Sequence, residues 1–404
     1  MKIITTGCGL AMALSVFPAQ AVNQEIRALF QPDPAQPSKN LFVNQTPNSG
    51  YCVNFPPQCA ANNMFSIELP IRYSSTRELA RGDDVSLRVP ADWRRLTVTN
   101  QDTQETEVVE VRITGIGSRF VLSDSVEKLT GVPAPTGHDI LWTSGSGWLY
   151  APAPCLGSGL AGYSPSTYRF FWHTPVQASC TKTAAFTIPS MYYDKIDFAY
   201  ELKTPNPLGM TSGLYTGSLS YIMGPGGDFD MGAAFQPDDG NLTLDFVLDV
   251  QHTLKIDLPP GGNNVSLEPE GGWARWMDSG RKPTRIFRDQ PFYISASSRF
   301  KVLMLCNSTG GTACKLGSPK GDSTEVEVFL TLPPGISGPG GGNVTRSPLS
   351  FNHWAGPYQP GIYVDRKPGS LLFEMTPFAI DFLLRPGKTD RLRGNITIIW
   401  DSDV

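Results

Sequence analysis

Residues 242–258, Leu-Thr-Leu-Asp-Phe-Val-Leu-Asp-Val-Gln-His-Thr-Leu-Lys-Ile-Asp-Leu, are the most informative stretch of this chain. Apolar residues alternate with polar ones over 242–250 and again over 254–258, the pattern of β-strands that bury one face. As one strand the stretch would reach about 56 Å, roughly three times an ordinary strand. The polar pair Gln251-His252 interrupts the apolar face. We therefore predict two strands in line, the last of one β domain and the first of another, joined stiffly at Gln251 and His252.

The beginning of the sequence has the features of an export signal. Lys2 provides the positive start, residues 3–17 are mostly apolar, and Ala19-Gln-Ala21 is a small-x-small cleavage site. A transmembrane helix is the alternative, but it needs about 20 apolar residues. We predict a signal peptide over 1–21, a first domain over 22–250 and a second over 251–404.

The composition predicts an all-β protein. The 404 residues include 40 Gly and 35 Pro spread along the chain, as expected of turns between many short strands. Helical periodicity is nearly absent outside Ser123 to Leu129, and residues 22–50 are polar enough to suggest an extended lead-in. The expected architecture is two β-sandwiches in tandem. A net charge of −4 without a basic stripe argues against nucleic-acid binding.

Six cysteines remain after residue 21, and they form three groups of two that are close in sequence. An even count in an exported chain indicates disulfides. Local pairing is the simplest of fifteen connectivities, and zinc binding is disfavoured by the spacing. The expected bonds are Cys52–Cys59, Cys155–Cys180 and Cys306–Cys314.

The sequence lacks the motifs of common enzymes. None of the four histidines lies in HExxH, no serine lies in GxSxG, and no carboxylate pair stands out. We expect no enzymatic activity, no catalytic residues, no metal site and no cofactor. Arg81-Gly-Asp83 and the Gly-rich run 224–232 are interpreted as turns rather than as an integrin-type motif or a calcium loop.

An aromatic-rich segment, 139–175, permits two interpretations. Its rings could stack on sugars, but core packing is the commoner fate of Trp and Tyr in a sandwich and is preferred. Five arginines could bind acidic sugars, although solvated strand residues are the simpler interpretation: Arg94, Arg95, Arg112, Arg119 and Arg169.

The sequence closes on a strong strand, Arg393-Gly-Asn-Ile-Thr-Ile-Ile-Trp-Asp401. Ile396, Ile398 and Trp400 share one face. No later segment is present in the sequence to pair with the far edge of this strand, so we expect that edge, with Gly394, to recruit a strand from another molecule.

Together these features resemble the two-domain tip adhesins and initiator subunits of class 5 chaperone–usher fimbriae, including the cable-pilus initiator-like family. The similarity extends over nearly the whole mature chain. It rests on the two cysteine loops, 52–59 and 155–180, on Leu267-Glu-Pro-Glu-Gly-Gly272 after the joint, and on Gly394-Asn-Ile-Thr-Ile398.

The resemblance implies an N-terminal adhesin domain and a C-terminal pilin domain, both immunoglobulin-like, with the pilin domain lacking its last strand. It also implies partners: a periplasmic pilus chaperone, an outer-membrane usher, a major pilin subunit that donates a strand, and a host receptor, possibly a glycan. The implied location is the fimbrium tip, reached through the periplasm. The alternatives are a purely structural tip subunit and a secreted β-sandwich polysaccharide hydrolase.

The receptor-binding arginines of the family have no counterparts here. The corresponding regions are Asn48-Ser-Gly-Tyr51 and Tyr221-Ile-Met-Gly-Pro225. No receptor-binding residue is therefore predicted. The Cys306–Cys314 pair and the Pro/Gly loop 333–343 are further differences from the family.

Overall fold

The computed structural model describes residues 22–62, 64–388 and 391–402. The predicted signal peptide, 1–21, lies outside these residues. No helix within them has the length and apolar character needed to cross a bilayer.

Strands dominate both halves of the described chain, which confirms the all-β prediction. Before residue 251 they are β1 Val22–Phe30, β2 Val43–Asn44, β3 Ile67–Leu69, β4 Tyr73–Ser75, β5 Asp84–Leu87, β6 Arg94–Asn100, β7 Thr106–Leu122, β8 Leu156–Gly157, β9 Gly162–Tyr163, β10 Thr167–His173, β11 Cys180–Thr183, β12 Met191–Lys203, β13 Gly213–Ile222, β14 Phe235–Pro237 and β15 Asn241–Val250.

After residue 251 the strands are β16 Leu254–Asp257, β17 Glu268–Pro269, β18 Ile286–Ala296, β19 Phe300–Cys306, β20 Thr309–Gly310, β21 Ala313–Gly317, β22 Ser323–Thr331, β23 Ile336–Ser337, β24 Ser347–Leu349, β25 Trp354–Pro360, β26 Val364–Met375 and β27 Ile396–Ser402. The helices are short: α1 Tyr51–Asn54, α2 Pro56–Ala61, α3 Val126–Thr130, α4 Thr136–Ile140, α5 Gly272–Ser279, α6 Pro377–Leu383, and 3-10 turns at Thr143–Gly145 and Pro207–Gly209.

The long strand β7 organises the sheet of residues 22–250. Along one edge it pairs with β12. Along its other edge, its first part pairs with β6 and its second part with β10. One continuous sheet thereby branches around the core, and a separate pair, β5 with β11, lies outside it.

The expectation of an extended lead-in over residues 22–50 is wrong for its first part. β1 pairs in parallel with β15 along its whole length, from Val22 opposite Leu242 to Phe30 opposite Val250. Ile26, Ala28 and Phe30 are buried in the core. These residues share one parity, but the intervening Glu25 and Arg27 lower the mean hydropathy and conceal the alternation.

The predicted helical turn near Ser123 to Leu129 is present as α3. Its N-cap residue, Ser125, accepts a hydrogen bond from the Lys128 amide, and the helix ends at Gly131 with a φ of 79°. A capping hydroxyl at the start and a left-handed glycine at the end are common helix boundaries.

The residues after 251 form two further sheets around a second hydrophobic cluster. One sheet has the order β16-β18-β26-β22-β21-β20, and the other has the order β23-β25-β19-β27. Buried side chains from both sheets, including Phe292, Val302, Met304 and Val328, meet between them. The first cluster contains residues from 26 to 250, the second residues from 286 to 380.

All three local disulfides are formed: Cys52–Cys59, Cys155–Cys180 and Cys306–Cys314. Loop closures of this kind each contribute roughly 2–4 kcal/mol, mainly by restricting the unfolded chain. The first disulfide joins α1 to α2, and the second joins the loop before β8 to the first residue of β11.

Candidate functional site

Strand β27 is the last strand of its sheet. It pairs antiparallel with β19 from Ile396 opposite Cys306 to Ser402 opposite Phe300. No strand within residues 22–62, 64–388 and 391–402 pairs with its other edge. That edge therefore presents backbone N–H and C=O groups that a further strand could satisfy.

The two faces of β27 differ in chemistry. Ile396, Ile398 and Trp400 pack against the second hydrophobic cluster, whereas Thr397 and Ile399 are exposed. The Trp400 ring lies 5.1 Å from the Phe292 ring and 5.8 Å from the Phe300 ring, measured between centroids. The inward face of β27 is thus part of the core.

That core is incompletely covered along β27. Its three inward residues are only partly buried, whereas Val302 and Met304 on the neighbouring strand β19 are fully buried. Phe292, which meets Trp400, lies on β18, and β18 is the neighbour of the opposite sheet's edge strand, β16. Leu254 and Ile256 of β16 are also only partly buried. Apolar side chains on the edge strands of both sheets are therefore only partly covered.

Gly394 and Leu258, which the sequence analysis placed in strands, lie outside them in the structure. Gly394 precedes β27 rather than belonging to it; a Cβ there would come within 2.9 Å of Leu316 Cδ2 and 3.0 Å of Lys315 O, so the glycine permits close backbone approach. Leu258 is 48 % exposed because β16 ends at Asp257 and the chain turns at Pro259.

The predicted joint is one residue longer than expected. β15 ends at Val250 and β16 begins at Leu254, so Thr253 follows Gln251 and His252 outside any strand. The reason is local hydrogen bonding: the Thr253 amide donates to Ser297 Oγ at 2.9 Å instead of joining a ladder.

His252 connects the two sides of this joint. Its Nε2 lies 2.9 Å from the carbonyl oxygen of Met210, and its Nδ1 lies 3.0 Å from Ser297 Oγ. Because a carbonyl can only accept, Nε2 carries the proton and the serine hydroxyl donates to Nδ1. Gln359 Nε2 adds a second connection by donating to the Leu208 carbonyl at 3.2 Å.

This geometry predicts a pH dependence of the joint. Burial lowers the pKa of His252 below its ordinary value of 6.5. Because the pKa of His252 is lower in the folded chain, the unfolded chain binds more protons as the pH falls. The contribution of neutral His252 to the free energy of unfolding is therefore present above pH 6.5 and is lost as the pH falls through the folded pKa. The melting temperature of the full chain should therefore fall more between pH 7 and pH 5 than the melting temperature of the His252→Gln variant. His138 and His173, whose pKa values burial also lowers, are present in both proteins and cancel. Equal falls in the melting temperatures of the two proteins over this pH range would contradict the prediction.

Most aromatic side chains of the segment 139–175 are core residues. Trp142, Trp148, Phe170 and Trp172 are buried, and the Trp172 Nε1 donates to the Trp148 carbonyl at 2.7 Å. The preferred interpretation is therefore confirmed for them. Tyr150 and Tyr163 are the exceptions, with 66 % and 55 % of their surface exposed.

Each of the five singled-out arginines has a carboxylate partner. Arg94 pairs with Asp228, Arg95 with Glu110, Arg112 with Glu201, Arg119 with Asp194, and Arg169 with Asp197 and Glu68. These pairs leave no cluster of unpaired arginines among the five.

The Arg169–Asp197 pair was not anticipated from the sequence. Asp197 is completely buried, and one of its oxygens lies 2.7 Å from Arg169 Nη2. Burial raises the pKa of Asp197 to about 7, against the opposing effect of Arg169. The chain just before the first disulfide loop lies against this pair, since a Cβ added at Gly50 would come within 1.9 Å of the Asp197 carboxylate. One sequence signal was available: an acidic residue between Ile196 and Phe198.

Both carboxylates of the Gly-rich run 224–232 have protein partners. Asp230 accepts from the Gly226 and Gly232 amides, and Asp228 pairs with Arg94. In the part of the chain that the structure describes, no group of three or more His, Cys, Asp or Glu side chains is arranged to hold a metal ion.

Three solved structures similar to this chain contain a fimbrial tip adhesin, in two of them together with a chaperone. A chaperone–tip adhesin complex of CFA/I fimbriae matches at 12 % identity over 95 % of this chain and 97 % of that chain, with a TM-score of 0.25. The adhesive subunit CfaE of the CFA/I fimbria of enterotoxigenic Escherichia coli matches at 11 % over 95 % and 94 %, with a TM-score of 0.24. The CsuC–CsuE chaperone–tip adhesion subunit complex of Acinetobacter baumannii matches at 9 % over 94 % and 98 %, with a TM-score of 0.23. Neither the family models nor the curated proteins match this sequence.

Proposed function

We propose that this protein is a non-enzymatic minor subunit at the tip of a chaperone–usher fimbria. In this proposal residues 22–250 are an adhesin domain that attaches to a host surface or glycan, and residues 251–404 are an incomplete pilin domain that anchors it and initiates pilus assembly. The observation that supports it is the open edge of β27.

The physical basis of the proposal is that β27 has both an unpaired backbone edge and apolar side chains that are only partly covered. None of the described strands pairs with the free edge of β27, so its backbone groups have no strand partner among them. The core beside this edge leaves Ile396, Ile398 and Trp400 only partly covered. An extended segment from another chain would correct both, because its backbone continues the ladder and its alternate side chains enter the core. A periplasmic chaperone would supply that segment first, and the N-terminal extension of a major pilin would replace it at the usher.

Fusion of a donor strand tests the proposal. We expect that the N-terminal segment of the major pilin of the same fimbria, joined after Val404 through a short turn, will raise the melting temperature of the full chain by about 10 °C or more. Burying several apolar side chains contributes roughly 1.5–3 kcal/mol each, and each kcal/mol raises the melting temperature of a domain of 150–250 residues by about 2–4 °C. Differential scanning calorimetry measures the shift.

The matched control carries the same segment with its inward-facing apolar residues replaced by Asp, and it should give no increase. Amide hydrogen exchange provides an independent readout. Amides on the free edge of β27 should exchange rapidly in the unfused chain and slowly after fusion. A stable unfused protein whose β27 amides are all protected would contradict the proposal.

A further inference from the structure

A small cavity lies within residues 22–250, far in sequence from the open edge of β27. It is a cavity of about 200 Å³ between β11 and the chain around the Thr143–Gly145 turn, and its lining includes Thr143, Tyr150, Thr181, Lys182 and Thr183. Drug-sized pockets have volumes of about 300–1,000 Å³, so this one has room for a single small ring.

The walls of this pocket are held in place. The Cys155–Cys180 disulfide joins the loop that follows Tyr150 to the start of β11. β11 itself pairs with β5, and two side-chain hydrogen bonds reinforce the pairing: Thr181 Oγ1 lies 2.7 Å from Ser86 Oγ, and Thr183 Oγ1 donates to Asp84 Oδ1 at 2.5 Å. A site with fixed walls loses little conformational entropy when it binds.

Lys182 lines this pocket, but all three N–H donors of its ammonium group are used by protein acceptors, so none is left for a ligand. Only 4 % of its surface is exposed, and its ammonium group donates to Ser146 O, Ser146 Oγ and Gly147 O at 3.0–3.1 Å. Asp139 lies close by, since its Oδ1 accepts from the Gly147 amide at 2.9 Å. Burial lowers the pKa of Lys182 to about 8, and Asp139 opposes this shift. The ammonium group in the lining is thus saturated by protein acceptors and has a carboxylate nearby, which favours an uncharged ligand over an anion.

Tyr150 gives the pocket an exposed aromatic surface. Tyr150 is 66 % exposed as a residue, unlike the buried aromatics around it. Threonine hydroxyls beside an aromatic ring suit a sugar, because a pyranose presents a C–H face for the ring and hydroxyls that both donate and accept.

We propose that this pocket binds one neutral sugar ring that stacks on Tyr150 and donates its hydroxyls to the threonine oxygens of the lining. Donation from the sugar is the expected direction because the Thr183 hydroxyl already donates to Asp84 and the Thr181 hydroxyl is already bonded to Ser86. The inference rests on the proposed adhesive function and names its ligand class. Lys182 is a positioning residue, which holds the wall at Ser146 and Gly147 and does not touch the sugar.

Saturation-transfer NMR on the full chain tests this, with the methyl glycosides of galactose, glucose, mannose and N-acetylglucosamine as probes and methyl glucuronide as the charged counterpart. We expect transfer to at least one neutral glycoside. Tyr150→Ala should weaken its binding about tenfold or more, whereas Tyr150→Phe should largely preserve it. Because the Tyr150 ring is exposed, circular dichroism should show the variants folded.

Tyr163→Ala is the matched control, since Tyr163 is an exposed tyrosine outside the lining; it should bind as the unchanged protein does. Absence of transfer to every neutral glycoside, transfer to the glucuronide alone, or equal losses in Tyr150→Ala and Tyr163→Ala would overturn the inference. If donor-strand fusion still raised the melting temperature in that case, only the sugar pocket would be refuted. Sugar binding without any fusion effect would instead refute the pilus-subunit function.

Discussion

Replacing Ile398 with Asp will abolish the stabilisation that we expect from a donor strand at β27, whereas replacing Ile399 with Asp will leave that stabilisation intact. Ile398 lies opposite the buried Met304 and faces the core that the incoming strand would cover. A carboxylate at that position would be enclosed without a partner, at a cost of several kcal/mol. Ile399 is the next residue on the same strand, but it points outward and is 37 % exposed.

The measurement is the increase in melting temperature on donor-strand fusion, together with co-purification of the periplasmic chaperone. We expect both to be lost in Ile398→Asp and both to persist in Ile399→Asp. Both variants replace an isoleucine of β27 with aspartate, so they add the same charge to the same strand. A difference between them therefore reports on the inward face of β27. Equal behaviour would mean that β27 is not where a partner strand adds.

At pH 8, above the Asp197 pKa of about 7, replacing Arg169 with Met will destabilise the N-terminal part of the chain by about 3–5 kcal/mol, because the ionised Asp197 then stays buried without its cation. Such a loss is a large fraction of an ordinary domain stability of about 5–15 kcal/mol. Asp197 has no exposed surface, and Arg169 Nη2 is also within 3.6 Å of Glu68. The double variant Arg169→Met, Asp197→Leu should recover most of the loss, since an apolar pair can replace a buried ion pair.

Arg112→Met provides the control for this prediction. Arg112 pairs with Glu201 at 2.6 Å, but both side chains are substantially exposed, so its loss should cost under about 1 kcal/mol. Urea unfolding followed by near-ultraviolet circular dichroism compares the variants. A small effect of Arg169→Met, or a double variant as unstable as the single one, would contradict the interpretation of this pair.

The sequence by itself determined the features that depend on local pattern. The alternation in 242–258 predicted strands on either side of Gln251 and His252, and the structure has them at Asn241–Val250 and Leu254–Asp257. Close spacing of cysteines, together with the expectation of export, predicted three local disulfides, all of which are formed. Such features follow from strand periodicity and from loop closure, and both are properties of neighbouring residues.

Only the tertiary structure decided which residues meet across long separations. It placed β1 beside β15 over more than 200 residues of intervening chain, a pairing that β1's own mixed composition conceals. It buried Trp148 and exposed Tyr150, although they lie two residues apart in one aromatic segment. It also brought Asp197 to Arg169, and it left β27 without a second neighbour among the described strands. Burial and charge pairing depend on what packs from elsewhere in the chain, so residue type and local periodicity do not specify them.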